Sequence, residues 1–293
     1  MLKYAAFIGM ILITGFLAFV FNRLKVTRKQ KAVIESQKAE VEQQKEKVEI
    51  AHEELEEKNN EILDSINYAK RIQLAILPPN HVVKKHLPNS FILYKPKDIV
   101  AGDFYWLEEK NGKVIFAAAD CTGHGVPGAM VSVVCNNALN RSVREHGLVQ
   151  PSKILDKARE IVVEEFEKSD EKVQDGMDIA LCSIAGNQLE YAGANNPLWI
   201  VRNGEIIEFK ANKEPIGKYD NPSPYTNHII ELLDGDAIYI FSDGFVDQFG
   251  GEKGKKYRAK ALSAKLLEIH AKTLEEQRSL LELSFDSWRG NLE

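Results

Sequence analysis

Cysteine is scarce, with Cys121, Cys135 and Cys182 the three in 293 residues, an odd number at irregular spacing. That excludes a disulfide framework and a CxxC zinc pair, and it makes a reducing compartment the simplest reading. A basic excess is also missing. The formal net charge is -5, which leaves no phosphate-tracking surface and removes nucleic acid from the expected partners. Proline and glycine are absent from Lys29 to Ile76, so that stretch contains no turn signal and reads as one long helix. A long uncharged apolar run occurs at Tyr4 to Phe21.

Those 18 residues extend roughly 27 Å as a helix, near the ~30 Å hydrocarbon thickness of a bilayer. A cleaved leader is the competing reading, but no A-x-A-like site follows the run. Arg23, Lys25, Arg28, Lys29 and Lys31 lie immediately downstream instead. By the positive-inside bias, the expectation is a single-pass anchor in the inner (cytoplasmic) membrane with the body of the chain in the cytoplasm. In the helix that follows, Ile34, Val41, Val48, Leu55 and Ile62 recur every seven residues amid Glu, Lys and Gln, which is a coiled-coil seam. The complementary positions Gln37, Gln44, Ala51, Lys58 and Ser65 are mostly polar. The seam therefore predicts a weak homodimer, either a signalling rod or a solvated spacer. The apolar spacing then shifts to Ile66, Ala69, Ile72 and Ile76, and Leu77-Pro78-Pro79 stops the helix. The expected division is an anchor over 1–25, a coiled-coil linker over 26–77 and a globular domain over 78–293.

Within that domain, β-like runs occur at Phe91 to Tyr94, Phe104 to Leu107, Val114 to Ala119, Ile179 to Ile184, Leu189 to Ala194, Leu198 to Val201 and Ile238 to Phe241. Asn111-Gly112, Gly186-Asn187, Asn203-Gly204 and Asp234-Gly235 separate several of them as hairpin-type turns. Helical patterns cover about Gly128 to Glu145, Ser152 to Glu167, Lys260 to His270 and Thr273 to Trp288. Strand runs with segregated helices predict an α+β domain.

The segment "AADCTGHGVPGAMVS" concentrates the chemistry. Its Gly123-x-Gly125-x-x-Gly128 matches the dinucleotide fingerprint, but the helix that follows runs into another helix rather than a parallel strand ending in an acidic residue. Asp120 would also repel a bound pyrophosphate. Cys135-x5-Arg141-Ser142 matches the short cysteine-phosphatase pattern, yet it lies in a glycine-free helical stretch, so Cys135 reads as a core thiol. Hard divalent cations remain. They take carboxylate oxygens from several strand ends, and Asp103, Asp120 and Asp243 each end or begin an apolar run beside small residues.

"YKPKDIVAGDFYW", "AADCTGHGVPGAMVS", "YAGANNPLWIVRNG", "PIGKY" and "IYIFSDGFVDQFGG", in this order, resemble the bacterial metal-dependent protein phosphatases of the SpoIIE/RsbU type, within the PPM (PP2C-like) superfamily. The resemblance covers about Ile76 onward. It implies a four-layer α/β/β/α sandwich with two Mn2+ or Mg2+ ions. Asp120 then matches the bridging ligand, Asp103 and Asp243 the outer ligands, and Cys121 a ligand through its backbone carbonyl. The implied reaction is hydrolysis of phosphoserine or phosphothreonine by a metal-activated water, on a phosphoprotein such as an anti-sigma-factor antagonist. His124 first stabilises its turn and is secondarily a candidate proton donor to the leaving oxygen. Members of the family typically close with a strand carrying an Asp-Asp pair, whereas this sequence ends in "SWRGNLE". The second ion is therefore expected to bind weakly unless Asp178 or Asp247 substitutes or the natural chain is longer than this sequence. The alternative from a different class is a catalytically impaired phosphatase-like module that sequesters a partner protein.

Overall fold

The computed structural model describes residues 2–168 and 174–290. Helix α1 (Leu2–Ile76) is unbroken, as the absence of proline and glycine from its middle requires, and it ends where Leu77-Pro78-Pro79 withdraws the backbone donors. Its N-terminal part is long and apolar enough to cross a membrane. The chain divides into two compact units, residues 1–65 and 66–293. The last turns of α1 belong to the second.

In that second unit α2 (Asn80–His86) precedes the hairpin β1 (Phe104–Lys110) and β2 (Lys113–Cys121), which leads into α3 (Gly125–Arg144) and α4 (Pro151–Glu167). Strands β3 (Met177–Ala185), β4 (Gln188–Ala194), β5 (Leu198–Arg202), β6 (Glu205–Phe209), β7 (His228–Glu231) and β8 (Ala237–Ile240) follow. The chain closes with the short pair β9 (Phe249–Gly250) and β10 (Lys255–Lys256), then α5 (Ala259–Ile269) and α6 (Leu274–Arg289). Asn111 and Gly112 have φ of 53° and 73°, and Asn203 and Gly204 have 51° and 77°. Both pairs thus make the doubly left-handed turns whose twist suits a tight hairpin. Thr273 and Glu276 form a reciprocal capping box that starts α6.

One sheet has the order β1-β2-β3-β4-β7 and another the order β6-β5-β8. Every strand pairing is antiparallel, which removes the parallel βαβ unit a dinucleotide site needs. The fold is of the α+β class, with a long N-terminal helix. Three apolar clusters account for its core. Ile115, Ala117, Ile179 and Leu181 on one face of the five-stranded sheet meet Cys135, Leu139, Leu155 and Ile161 of α3 and α4. Ala180, Cys182 and Tyr191 on the opposite face meet Leu198 and Ile200 of the three-stranded sheet. Trp199, on the far face of β5, meets Leu262, Leu266 and Leu281 of α5 and α6.

The sequence reading needs correction at several elements. Phe91 to Tyr94 is not a strand: its alternating side chains are used, with Phe91 and Leu93 in one cluster and Tyr94 in another, but its backbone pairs with no sheet. Helix α3 begins three residues earlier than expected, at Gly125. Edge strand β6 and the four-residue β7 carry too little apolar periodicity to have been read.

Candidate functional site

Strand register sets out the acidic residues. Phe104 pairs with Ala119, so Asp103, one step outward, stands opposite Asp120, close enough for each carboxyl group to perturb the other's ionisation. Asp120 pairs directly with Asp178 on β3. Beyond Ile179 and its partner Ala194 lies Asn195, whose Nδ2 donates to Asp178 Oδ1 at 2.8 Å. Residues directly opposite in antiparallel strands point to the same side. Asp103, Asp120, Asp178 and Asn195 therefore form a row across the end of four neighbouring strands. Asp120 shares its face with Phe116, and Asp178 shares its face with Ala180 and Cys182, which pack toward the three-stranded sheet.

Asp243 comes from that second sheet, in the turn after β8, and its charge also acts on Asp120. The preceding Ser242 Oγ donates to Asp103 Oδ2 at 2.5 Å, so residues 242 and 243 reach two members of the row. The electrostatics follow from this crowding. Burial, reinforced by Asp103 and Asp243, pushes the Asp120 carboxyl up to about 9. Burial also raises Asp103, against the opposing bonds from Ser242 and Asp120 and with added repulsion from Asp243. Asp178 is raised by burial, opposed by Asn195 and assisted by Asp243. Like charges taken out of water resist ionisation until a cation joins them.

The donor set is hard oxygen, which fits Mg2+ or Mn2+ rather than a thiolate-seeking metal. No three His, Cys, Asp or Glu side chains among the described residues are drawn tightly enough to form a closed metal cage. The strand register nevertheless sets Asp103 and Asp178 on either side of Asp120, and Asp243 adds its charge from the second sheet.

Glycines allow the backbone to close around the row. A Cβ on Gly102 would lie 2.7 Å from the Gly123 carbonyl oxygen and 2.9 Å from that of Cys121. On Gly128 it would strike the Gly123 carbonyl and sit 3.1 Å from Gly102 Cα. These two glycines serve close approach, whereas Gly123, at φ 88°, serves the left-handed turn. Cys121 turns its thiol to the opposite face, into the core beside Cys135, where burial raises it well above the ordinary range. Its carbonyl, unlike its sulfur, faces the glycine knot.

The structure separates the other candidates. His124 is exposed at the start of α3 with its Nδ1 3.2 Å from Asp98 Oδ2. Asp247 accepts from Lys256 Nζ at 2.5 Å, and its N–H donates to Asp243 O at 2.8 Å. It braces the turn and shares no bond with the row. Lys95, in the segment that leads to Asp103, is held by Asp286 at 2.8 Å and Glu282 at 3.3 Å on α6. Sequence reasoning missed Ser242, Asn195 and Asp98. The first two stand inside motifs already singled out, next to or near an aspartate; Asp98 shows no signal apart from its place before Ala101-Gly102-Asp103.

The family described as Stage II sporulation protein E (SpoIIE) matches residues 110–286. The SiaA-PP2C domain of Pseudomonas aeruginosa is 30% identical with a TM-score of 0.73, covering 80% of this chain and 93% of that one. The PP2C phosphatase domain with a regulatory fragment of SpoIIE from Bacillus subtilis is 19% identical, TM-score 0.51, over 64% of this chain and 53% of that one. A Mycobacterium tuberculosis protein with RsbU and RsbW domains is 16% identical, TM-score 0.52, over 66% and 53%. The last two show a shared fold. No curated protein matches. A family match over more than half the chain, together with the SiaA-type likeness, places this chain in the SpoIIE/RsbU-type family of PPM phosphatases.

Proposed function

We propose that this chain is a Mn2+- or Mg2+-dependent protein phosphatase that hydrolyses phosphoserine or phosphothreonine on a signalling protein. The observation that carries this reading is the register row Asp103, Asp120 and Asp178, met from the second sheet by Asp243. The three apolar clusters support an α/β/β/α layering with the row at one end of the two inner layers. Asp120, Asp103 and Asp243, with the Cys121 carbonyl, would hold the divalent ions, Asp120 being the residue whose ionisation both of the other aspartates affect. Asp178, in the row, is favoured over Asp247, occupied by Lys256, as an additional metal ligand.

Bound divalent ions supply an acidified water and an electrophile for the phosphoryl oxygens. The chain's own groups do the positioning. Ser242 fixes which Asp103 oxygen is free, and Asn195 does the same for Asp178. His124, steadied through Nδ1 by Asp98, turns Nε2 outward at the lip, where it can hand a proton to a departing serine or threonine oxygen. The RsbU-domain relative, whose chain also carries an RsbW domain, supports a regulatory phosphoprotein, of the anti-sigma-factor-antagonist kind, as the substrate.

The same proposal covers the N-terminal part: residues 1–25 as a single-pass anchor, 26–77 as a coiled-coil linker and 78–293 as the cytoplasmic phosphatase domain. Ile34, Val41, Val48, Leu55 and Ile62 are all exposed on the single chain, as an unpaired dimer seam would be. The deciding experiment is phosphate release from a phosphothreonine peptide by the full chain in detergent, with and without Mn2+, beside Asp120→Asn. Mn2+-dependent release that disappears in the variant is expected. A folded wild-type chain that releases no phosphate would remove the enzymatic reading.

A further inference from the structure

Gln73, in the last turns of α1, is a polar side chain only 4% exposed, and both its amide hydrogens and its oxygen find partners. Its Oε1 accepts from the Ala101 N–H at 3.1 Å. Its Nε2 donates to the Ala101 carbonyl at 2.5 Å and to Ser132 Oγ at 3.0 Å. Toward Ala101 the side chain behaves as one rung of a sheet, exchanging both backbone bonds of a single residue. Ser132, itself fully buried, passes its own proton to Ala129 O at 2.7 Å on α3.

The two places held by this one side chain are the two approaches to the acidic row. Ala101 and Gly102 lead directly into Asp103, and Gly102 is wedged against the carbonyls of Cys121 and Gly123. Ser132 stands on the helix that begins five residues after Asp120. A shift of Gln73 would thus move Asp103 relative to Asp120 in two ways: through the segment entering β1 and through the helix leaving β2. We propose that Gln73 is a positioning residue of the phosphatase site, setting the distance between Asp103 and Asp120 and with it the affinity for the divalent ions. This rests on the reading of the row as a metal centre.

A side chain that merely anchors the end of α1 would lower stability without touching the ion site, so the test separates the two. Gln73→Leu keeps the shape and abolishes all three bonds; Ser132→Ala removes one and serves if the first variant does not fold. Leu281→Ala, in the cluster between β5 and α6 far along the chain from the row, is the control for lost stability alone. The full chain in detergent is stripped of metal and titrated with Mn2+ by calorimetry, and backbone hydrogen exchange is followed at residues 101–103 and 125–132. Gln73→Leu is expected to weaken Mn2+ binding about 10- to 100-fold, the usual effect of losing a group that orients a ligand. Ser132→Ala should show a smaller loss in the same direction, with exchange faster at residues 101–103, while Leu281→Ala binds Mn2+ as the parent does. Wild-type affinity in Gln73→Leu, or in a folded Ser132→Ala where Gln73→Leu fails to fold, overturns the proposal. If the parent itself takes up no Mn2+, the metal-centre reading fails, and exchange alone decides the positioning role. Faster exchange confined to residues 101–103 and 125–132 upholds it, and a uniform increase like that of Leu281→Ala overturns it.

Discussion

Asp103, Asp120 and Asp178 belong to neighbouring strands of the five-stranded sheet, while Asp243 belongs to a turn after the four-residue β8 of the smaller sheet. The first three are held by ladder register. A slip of one residue would send all their side chains to the helix-covered face, so their mutual placement is as firm as the hydrophobic alternation of β1, β2 and β3. Asp243 is exposed, and its backbone is held by the bond from the Asp247 N–H. The contrast describes a site with one rigid half and one adjustable half. A rigid half can afford like charges in close contact, because the sheet cannot relax to separate them. An adjustable half can draw in when ions arrive.

The largest effect should come from breaking the centre of the rigid half. Asp120→Asn removes a carboxylate shared by both neighbours and should lower phosphatase activity by at least about 1,000-fold, since ligands of this kind support several kcal/mol of transition-state stabilisation. The same variant should make the metal-free protein more stable, at about 2–4 °C per kcal/mol in a domain of this size. The sign follows from the raised carboxyl. Asp120 in the folded, metal-free chain keeps its proton up to about pH 9, against an ordinary value of 3.8, so between those limits the folded state binds a proton that the unfolded chain has released. Its contribution to stability falls as pH rises through that window. Thermal melts of metal-free protein between pH 5 and about 9 should therefore slope downward more steeply for the parent than for Asp120→Asn. Parallel slopes would show that neither burial nor the neighbouring Asp103 and Asp243 raises Asp120.

Gly102→Ala attacks the same half through its backbone. The new Cβ meets two carbonyl oxygens at 2.7 and 2.9 Å, neither of which is the end of a flexible side chain. A loss of about 1–3 kcal/mol is expected, the ordinary range for forcing atoms into a filled space, measurable by urea unfolding of metal-free chain. An unchanged midpoint would mean that the knot of Gly102, Gly123 and Gly128 is looser than the distances imply.

How much of this was legible in the sequence depended on the range of the interaction. The hairpins announced themselves, because Asn111-Gly112 and Asn203-Gly204 are local signals flanked by apolar runs. Asp103, Asp120 and Asp243 stood out at strand ends beside small residues. Asp178 was legible only as a possible substitute ligand, since its place opposite Asp120 depends on a register that no short window contains. Gln73 and Asp98 act on residues 28 and 26 positions away, respectively, and neither belongs to a motif that names its partner. Phe91 to Tyr94 misled for the converse reason: its alternation is real, but strand formation also needs a neighbour, and this segment has none.

Two aspartates sharpen the comparison from its weaker side. Asp178→Asn keeps the shape of the row while removing charge, and it should weaken binding of one Mn2+ about tenfold, at the low end of what a lost orienting or ligating group costs, with the other site little changed. Calorimetric titration reads both sites, and two unaltered ions would remove Asp178 from the ligand set. Asp247→Asn is the smallest change of the set. It loses an ion pair with Lys256 in which both side chains are 45% exposed, and such pairs contribute at most about 1 kcal/mol. The backbone bond from Asp247 to Asp243 survives the substitution, because it uses the N–H and not the carboxylate. Stability and Mn2+ affinity should both stay close to the parent's. A large fall in affinity here would mean that the Asp243 turn, once ions are bound, swings Asp247 away from Lys256 and into the site, making the adjustable half a ligand donor in its own right.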